Sequence, residues 1–148
     1  MFTPIITRPK KSDYDEITCV WEASVRATHH FLSEEDILFF KPLIRNEYLK
    51  SVDLYIIKGE KEQILAFIGI DKQNIEMLFI HPSVRGKGLG KRLLSFAIKQ
   101  HKAYKVDVNE QNKQALEFYL HLGFQIVSKD DTDESGKPFP ILHMVLPE

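Results

Sequence analysis

Met77-Leu78-Phe79-Ile80-His81-Pro82-Ser83-Val84-Arg85-Gly86-Lys87-Gly88-Leu89-Gly90-Lys91-Arg92-Leu93-Leu94 is the stretch that decides how this chain folds. An apolar run ends at Pro82, glycines recur at 86, 88 and 90, and a helical pattern starts at once. From Gly88 to Lys102 the apolar positions Leu89, Leu93, Leu94, Ala97 and Ile98 fall on one side. Glycines have no Cβ, so a strand entering a helix through them turns several backbone N–H groups toward one concave spot. The helix macrodipole makes that spot partly positive, and Arg85, Lys87, Lys91 and Arg92 add full charges. Such a place suits a pyrophosphate. Two nucleotide fingerprints fail on spacing. Gly86 to Gly90 is one residue short for a Walker A loop, and Arg92 stands where its metal-binding hydroxyl belongs. In the dinucleotide pattern the third glycine is misplaced at Gly90 and too little chain follows for a doubly wound fold, although Asp107 lies about 20 residues on, where a ribose-binding acid would sit.

Upstream of that stretch the chain predicts a short strand over 2–8, closed by Pro9. A helix follows from Asp13, with Ile17, Val20, Trp21, Ala27 and Phe31 at helical spacing. Ser33 then caps a second helix with an acidic first turn, which buries Ile37, Phe40, Leu43, Ile44 and Tyr48 and ends near Lys50. Pro42 lies inside it, where a kink or a break is expected. Three β-rich runs, 53–57, 64–70 and 74–80, are joined by short polar turns and form an antiparallel meander. Downstream come a strand at 105–108, a helix over 113–122 stopped by Gly123, and closing strands at 124–128 and 141–146. The fold class is therefore α/β: a mixed, mostly antiparallel sheet with a crossover between residues 80 and 108.

The chain has 148 residues, a formal charge of −1, 43% hydrophobic and 28% charged residues, which is the profile of a globular protein. One domain over 1–148 is expected, large enough to bury about 68–70% of its unfolded surface without staples. The near-neutral balance argues against nucleic acid as partner. No segment approaches the ~20 apolar residues of a membrane span, and the first residues do not read as a signal peptide, so a cytoplasmic location is expected. Cys19 is the single cysteine and is expected in the core, within the apolar pattern of the first helix. The six histidines show no helical pair suited to a metal, so no metal site is expected. Residues 131–136 begin like a calcium loop, but its twelfth position is Leu142, so an acidic surface loop is expected instead.

Arg85, Gly88 and Gly90 satisfy R-x-x-G-x-G. Asn112, Ala115, Phe118, Tyr119, Gly123 and Phe124 satisfy N-x-x-A-x-x-F-Y-x-x-x-G-F. On these two motifs, a crossover apart and in the right order, the chain resembles the GCN5-related N-acetyltransferase (GNAT) family, and the element order agrees from end to end. The stretches 21–33 and 108–112 are most similar to a small bacterial subgroup that includes peptidyl-lysine acetyltransferases. The resemblance implies helices on both faces of a sheet whose two strands flanking the crossover helix splay into a V. It implies acetyl-CoA as donor, with no metal, and an amine acceptor: a protein lysine, a protein N-terminus, or a small amine such as a drug or polyamine. An acyl-CoA sensor without turnover is the alternative from another class.

The same resemblance implies roles for residues. Leu78, Phe79 and Ile80 would pair with the pantetheine arm through their backbone. Arg85, Gly86, Lys87, Gly88, Leu89, Gly90 and Lys91 would hold the pyrophosphate, as the local physics suggests. Asn112 would contact the CoA arm, although a plain helix N-cap is an equal alternative. Tyr119 would be the general acid for the departing thiolate, and the bland alternative is a core tyrosine beside Phe118. A base must deprotonate the amine, since lysine starts near ~10.4. Glu76 is one candidate, placed by period-two alternation on one face with Leu78 and Ile80. His30 is another, with its neighbour His29 beside it after the first helix, where the family builds acceptor-site walls.

Overall fold

The computed structural model describes residues 4–148. A short strand β1 (Ile6–Thr7) leads to α1 (Tyr14–Thr28) and α2 (Glu34–Leu43); Phe2 and Thr3 of the expected first strand lie outside the described residues. Ser33 caps α2 as its sequence predicts. Its hydroxyl accepts from Asp36 N–H at 3.1 Å, and the Asp36 carboxylate accepts from Ser33 N–H at 3.0 Å. Pro42 disturbs the end of this helix: past Leu43 it widens to a π turn over Ile44–Tyr48 before one 3₁₀ turn. The meander is β2 (Asp53–Lys58), β3 (Ile64–Asp71) and β4 (Asn74–Ile80). The crossover helix α3 (Leu89–His101) leads to β5 (Lys105–Asn109), α4 (Lys113–His121), β6 (Gln125–Asp130) and β7 (Ile141–Val145).

Among the described residues the strands make one seven-stranded sheet in the order β1-β2-β3-β4-β5-β7-β6. All neighbours are antiparallel except β4 and β5. That parallel pair is short, matching only Asn74 with Lys105 and Ile75 with Val106. Beyond it the two strands part, which gives the V-shaped splay. β4 carries a bulge at this point: Ile75 faces Ile70 and Met77 faces Gly69, so Glu76 is an extra residue without a partner in β3. A bulge bends and twists its strand, here one residue past the last pair with β5.

Each face of the sheet has its own core. α3 and α4 cover Ala66, Ile68, Ile70, Ile75, Val106 and Val108 with Leu93, Leu94, Ala97 and Tyr119. α1 and α2 cover Leu54, Ile56, Phe67 and Met77 with Ile17, Val20, Trp21 and Ile37. Cys19 corrects an expectation, because it is exposed. The buried stripe of α1 runs through Ile17, Thr18, Val20, Trp21, Ser24 and Val25, and turns position 19 outward. Thr18 takes the inward place without leaving a polar atom unpaired, since its hydroxyl donates to the Tyr14 carbonyl at 2.8 Å.

Candidate active site

The gap between β4 and β5 opens into a cleft of about 330 Å³. β4 supplies Leu78, Phe79 and Ile80; the turn after it supplies Arg85, Gly86 and Gly88. The first turn of α3 adds Leu89, Gly90 and Lys91. Ser24, Thr28 and His29 approach from the end of α1, and Asn112, Phe118 and Tyr119 from α4. Every residue expected to hold the donor lines this cleft except Lys87, which is exposed on the turn beside it. Tyr119 lines it too. Glu76 and His30 do not.

The turn before α3 depends on two glycines. Gly86 has φ +75° and Gly88, the N-cap of α3, has φ +81°, in the left-handed region that side chains resist. A Cβ at either position would meet nothing within 4 Å, so the space above them is open to a ligand. Arg85 is anchored by donating to the Gln114 side chain at 2.6 Å, which links this turn to the start of α4. Next to it, Lys91, Arg92, Ser95 and Lys99 with Gly88 and Phe96 surround a shallow basic hollow of about 390 Å³. Sequence reasoning missed this extension, although Lys91, Ser95 and Lys99 recur every four residues along α3, which was a legible signal.

Tyr119 is 5% exposed and packs between Phe118 and Phe124, with ring centroids 5.2 and 5.3 Å away. Burial holds its phenol well above the ordinary tyrosine value, so the proton stays on at neutral pH. Asn112 is the N-cap of α4, its Oδ1 accepting from Ala115 N–H at 3.3 Å. Its Nδ2 donates across the cleft to His29 Nε2 at 3.3 Å. His29 is 7% exposed. Its pKa is pushed down to about 4, by burial first and then by the positive charges of His30 and Arg85. The structure thus brings His29 into the cleft and leaves its neighbour His30 exposed outside it. No spacing rule separates two adjacent histidines. The turn that ends α1, with His29 at φ −99° and ψ 64°, does so.

The bulge also changes the surroundings of Glu76. Ile75 joins Leu78 and Ile80 in the α3–α4 core while Met77 joins the α1–α2 core, so strict alternation fails at Glu76. Its side chain is exposed at the surface, and its carboxyl is held above the usual range. Partial burial against the sheet is the main cause, opposed by a hydrogen bond from Asn74 and reinforced by the carboxylates of Asp107, Glu134 and Asp71. The segment between β6 and β7 reaches the residues that follow α1 and the start of α2. The Phe139 ring packs at a tilt against Phe31, centroids 5.5 Å apart, and the Phe31 ring lies 5.3 Å from His29. Lys137 pairs with Asp36 at 3.3 Å and sits 4.6 Å from the Phe39 ring centroid.

Comparison with known proteins agrees with this geometry. A family profile described as "Acetyltransferase (GNAT) domain" matches residues 32–146. The chain belongs to the GNAT acetyltransferase family. It is 35% identical over 139 residues, 94% of either chain, to the peptidyl-lysine N-acetyltransferase YjaB of Escherichia coli (strain K12). The solution structure of apo-form YjaB from Escherichia coli matches it with a TM-score of 0.90 at 34% identity, over 98% of both chains. The PaiA N-acetyltransferase of Thermoplasma acidophilum, solved in complex with coenzyme A, matches with a TM-score of 0.78 at 20% identity. That match spans 99% of this chain and 100% of the other, a likeness of fold. The parted strands and glycine turn are thus those of a GNAT N-acetyltransferase, and GNAT enzymes take their acetyl group from acetyl-CoA.

Proposed function

We propose that residues 1–148 act as one N-acetyltransferase domain that moves the acetyl group of acetyl-CoA to a protein lysine. The observation that carries this is the cleft, with a glycine-lined helix N-terminus at one part of its wall and a protonated, buried phenol at another. The main-chain N–H groups at Gly88 to Lys91, with Arg85 and Lys91, take the pyrophosphate. The basic hollow of Lys91, Arg92, Ser95 and Lys99 suits a further phosphate of the donor. β4 has an edge without a strand partner past Ile75, and Leu78 to Ile80 offer its N–H and C=O groups to the pantetheine amides. One of those N–H groups donates to the thioester carbonyl oxygen as it gains charge. Tyr119 gives its proton to the departing thiolate.

Two observations support lysine as acceptor. The YjaB relative is a peptidyl-lysine N-acetyltransferase by name, and Glu76 stands in a negative field from Asp71, Asp107 and Glu134 that favours a cationic side chain. Glu76, its carboxyl held above the usual range mainly by burial, is the first candidate to accept the proton of the ammonium, directly or through water, and His30 is the second; both stand outside the cleft. Incubation with acetyl-CoA and three acceptors (lysine peptides with blocked N-termini, lysine-free peptides with free N-termini, and polyamines) tests the proposal. Thiol release and mass spectrometry should show acetyl on lysine Nε. Acetylation of only the other acceptors would overturn lysine, and tight CoA binding without release on any of them would favour a sensor.

A further inference from the structure

The contact between His29 and Asn112 joins the two walls of the cleft, and its hydrogen atoms can be assigned from the partners alone. The Thr28 hydroxyl has one proton, which it donates to the Ser24 carbonyl at 2.8 Å. The 2.8 Å contact between Thr28 Oγ1 and His29 Nδ1 therefore has the imidazole as donor. A neutral ring that carries its proton on Nδ1 has its lone pair on Nε2, where Asn112 Nδ2 donates at 3.3 Å. The other end of the carboxamide agrees, because Asn112 Oδ1 accepts from Ala115 N–H. Donors and acceptors alternate without conflict from the last turn of α1 to the first turn of α4. Burial and the nearby charges of His30 and Arg85 favour the neutral ring this chain needs.

We propose that His29 is a positioning residue of the acetyl-transfer cleft: its Nε2 lone pair fixes the Asn112 carboxamide, so that Asn112 meets acetyl-CoA in one orientation. Asn112 keeps one N–H and one oxygen lone pair for the ligand. The inference rests on the acetyl-CoA reading and adds to it a residue on the acceptor-side wall that governs donor binding.

Two substitutions separate the two ends of the imidazole. His29→Asn keeps a donor where Nδ1 stands and loses the acceptor, whereas His29→Gln brings an amide oxygen to the place of Nε2. Calorimetric titration with acetyl-CoA should show His29→Asn weakened about three- to tenfold, the worth of one net hydrogen bond, and His29→Gln close to wild type. The double variant His29→Asn with Asn112→Ala should bind no worse than Asn112→Ala alone. Wild-type affinity in His29→Asn, or penalties that add in full in the double variant, would overturn the proposal. Nitrogen NMR of the wild-type imidazole at neutral pH should show a bare Nε2 and a protonated Nδ1. The opposite tautomer overturns the proposal however the variants fold. If the wild type binds no acetyl-CoA, the proposed function falls and this inference falls with it.

Discussion

A phenol that keeps its proton at neutral pH is useful to a leaving thiolate only if the two meet. Tyr119 lines the cleft and is buried enough to remain a phenol. Tyr119→Phe keeps the aromatic packing against Phe118 and Phe124 and removes only the proton. It should lower kcat by about 10²–10⁴-fold with little change in the KM for acetyl-CoA, read by thiol release. An unchanged kcat would leave Tyr119 a packing residue. At this scale the sequence was legible where a residue type is demanded by a motif: Arg85, Gly88, Gly90, Asn112 and Tyr119 all stand at the cleft. It was illegible where local turns decide. Cys19 differs from its buried neighbours Thr18 and Val20 only by its direction around α1. His29 differs from His30 by one peptide unit, which puts one ring among Phe31 and Phe79 and the other in water.

Among the elements, the β5-β7-β6 part of the sheet has an electrostatic clasp. His143 on β7 lies between two carboxylates, Nδ1 at 2.6 Å from Asp107 on β5 and Nε2 at 2.7 Å from Asp130 at the end of β6. Both nitrogens donate only when the ring is an imidazolium, and hydrogen bonds to Asp130 and then to Asp107 raise its pKa. A raised folded value means that the stabilisation is complete below the unfolded value near ~6.5 and is lost as pH rises through the folded one. The clasp is partly open to solvent, so its effect is modest. Thermal melts from mildly acid to mildly alkaline pH should lose a few degrees, and His143→Gln should remove most of that slope. A slope unchanged in the variant would assign it to other groups. The order of the elements was legible from periodicity and from the Gly-rich entry to α3. The bulge in β4 was not, because Ile75-Glu76-Met77 reads as ordinary alternation whether or not the middle residue has a partner.

The whole molecule is two cores on one sheet, and β3 is the wall they share. Ala66, Ile68 and Ile70 face α3 and α4, while Phe67 between them faces α1 and α2. Phe67 is wholly buried, so Phe67→Ala should cost about 3–5 kcal/mol. Denaturant unfolding should show this as a lower midpoint with an unchanged slope. A loss below about 1 kcal/mol would mean that the α1–α2 layer relaxes around the hole. The formal charge of −1 likewise averages two unlike regions. The positive charges gather at the turn into α3 and along its exposed face. The negative ones gather around Glu76, where Asp71, Asp107 and Glu134 act together. A donor rich in phosphate and an acceptor that arrives as a cation are thereby drawn to different parts of one molecule.

Glu76 holds two roles that mutagenesis can pull apart. As a side chain it is a carboxylate, and exchanging it for glutamine alters proton chemistry alone. As a unit of length it is the surplus residue that lets β4 lean away from β5. Deleting it would restore even pairing with β3, allow the parallel ladder to continue, and shut the space where the donor is meant to lie. At this position the strand geometry therefore tolerates a change of side chain but not a loss of length, and the opening of this enzyme is kept by a count of residues rather than by the identity of one.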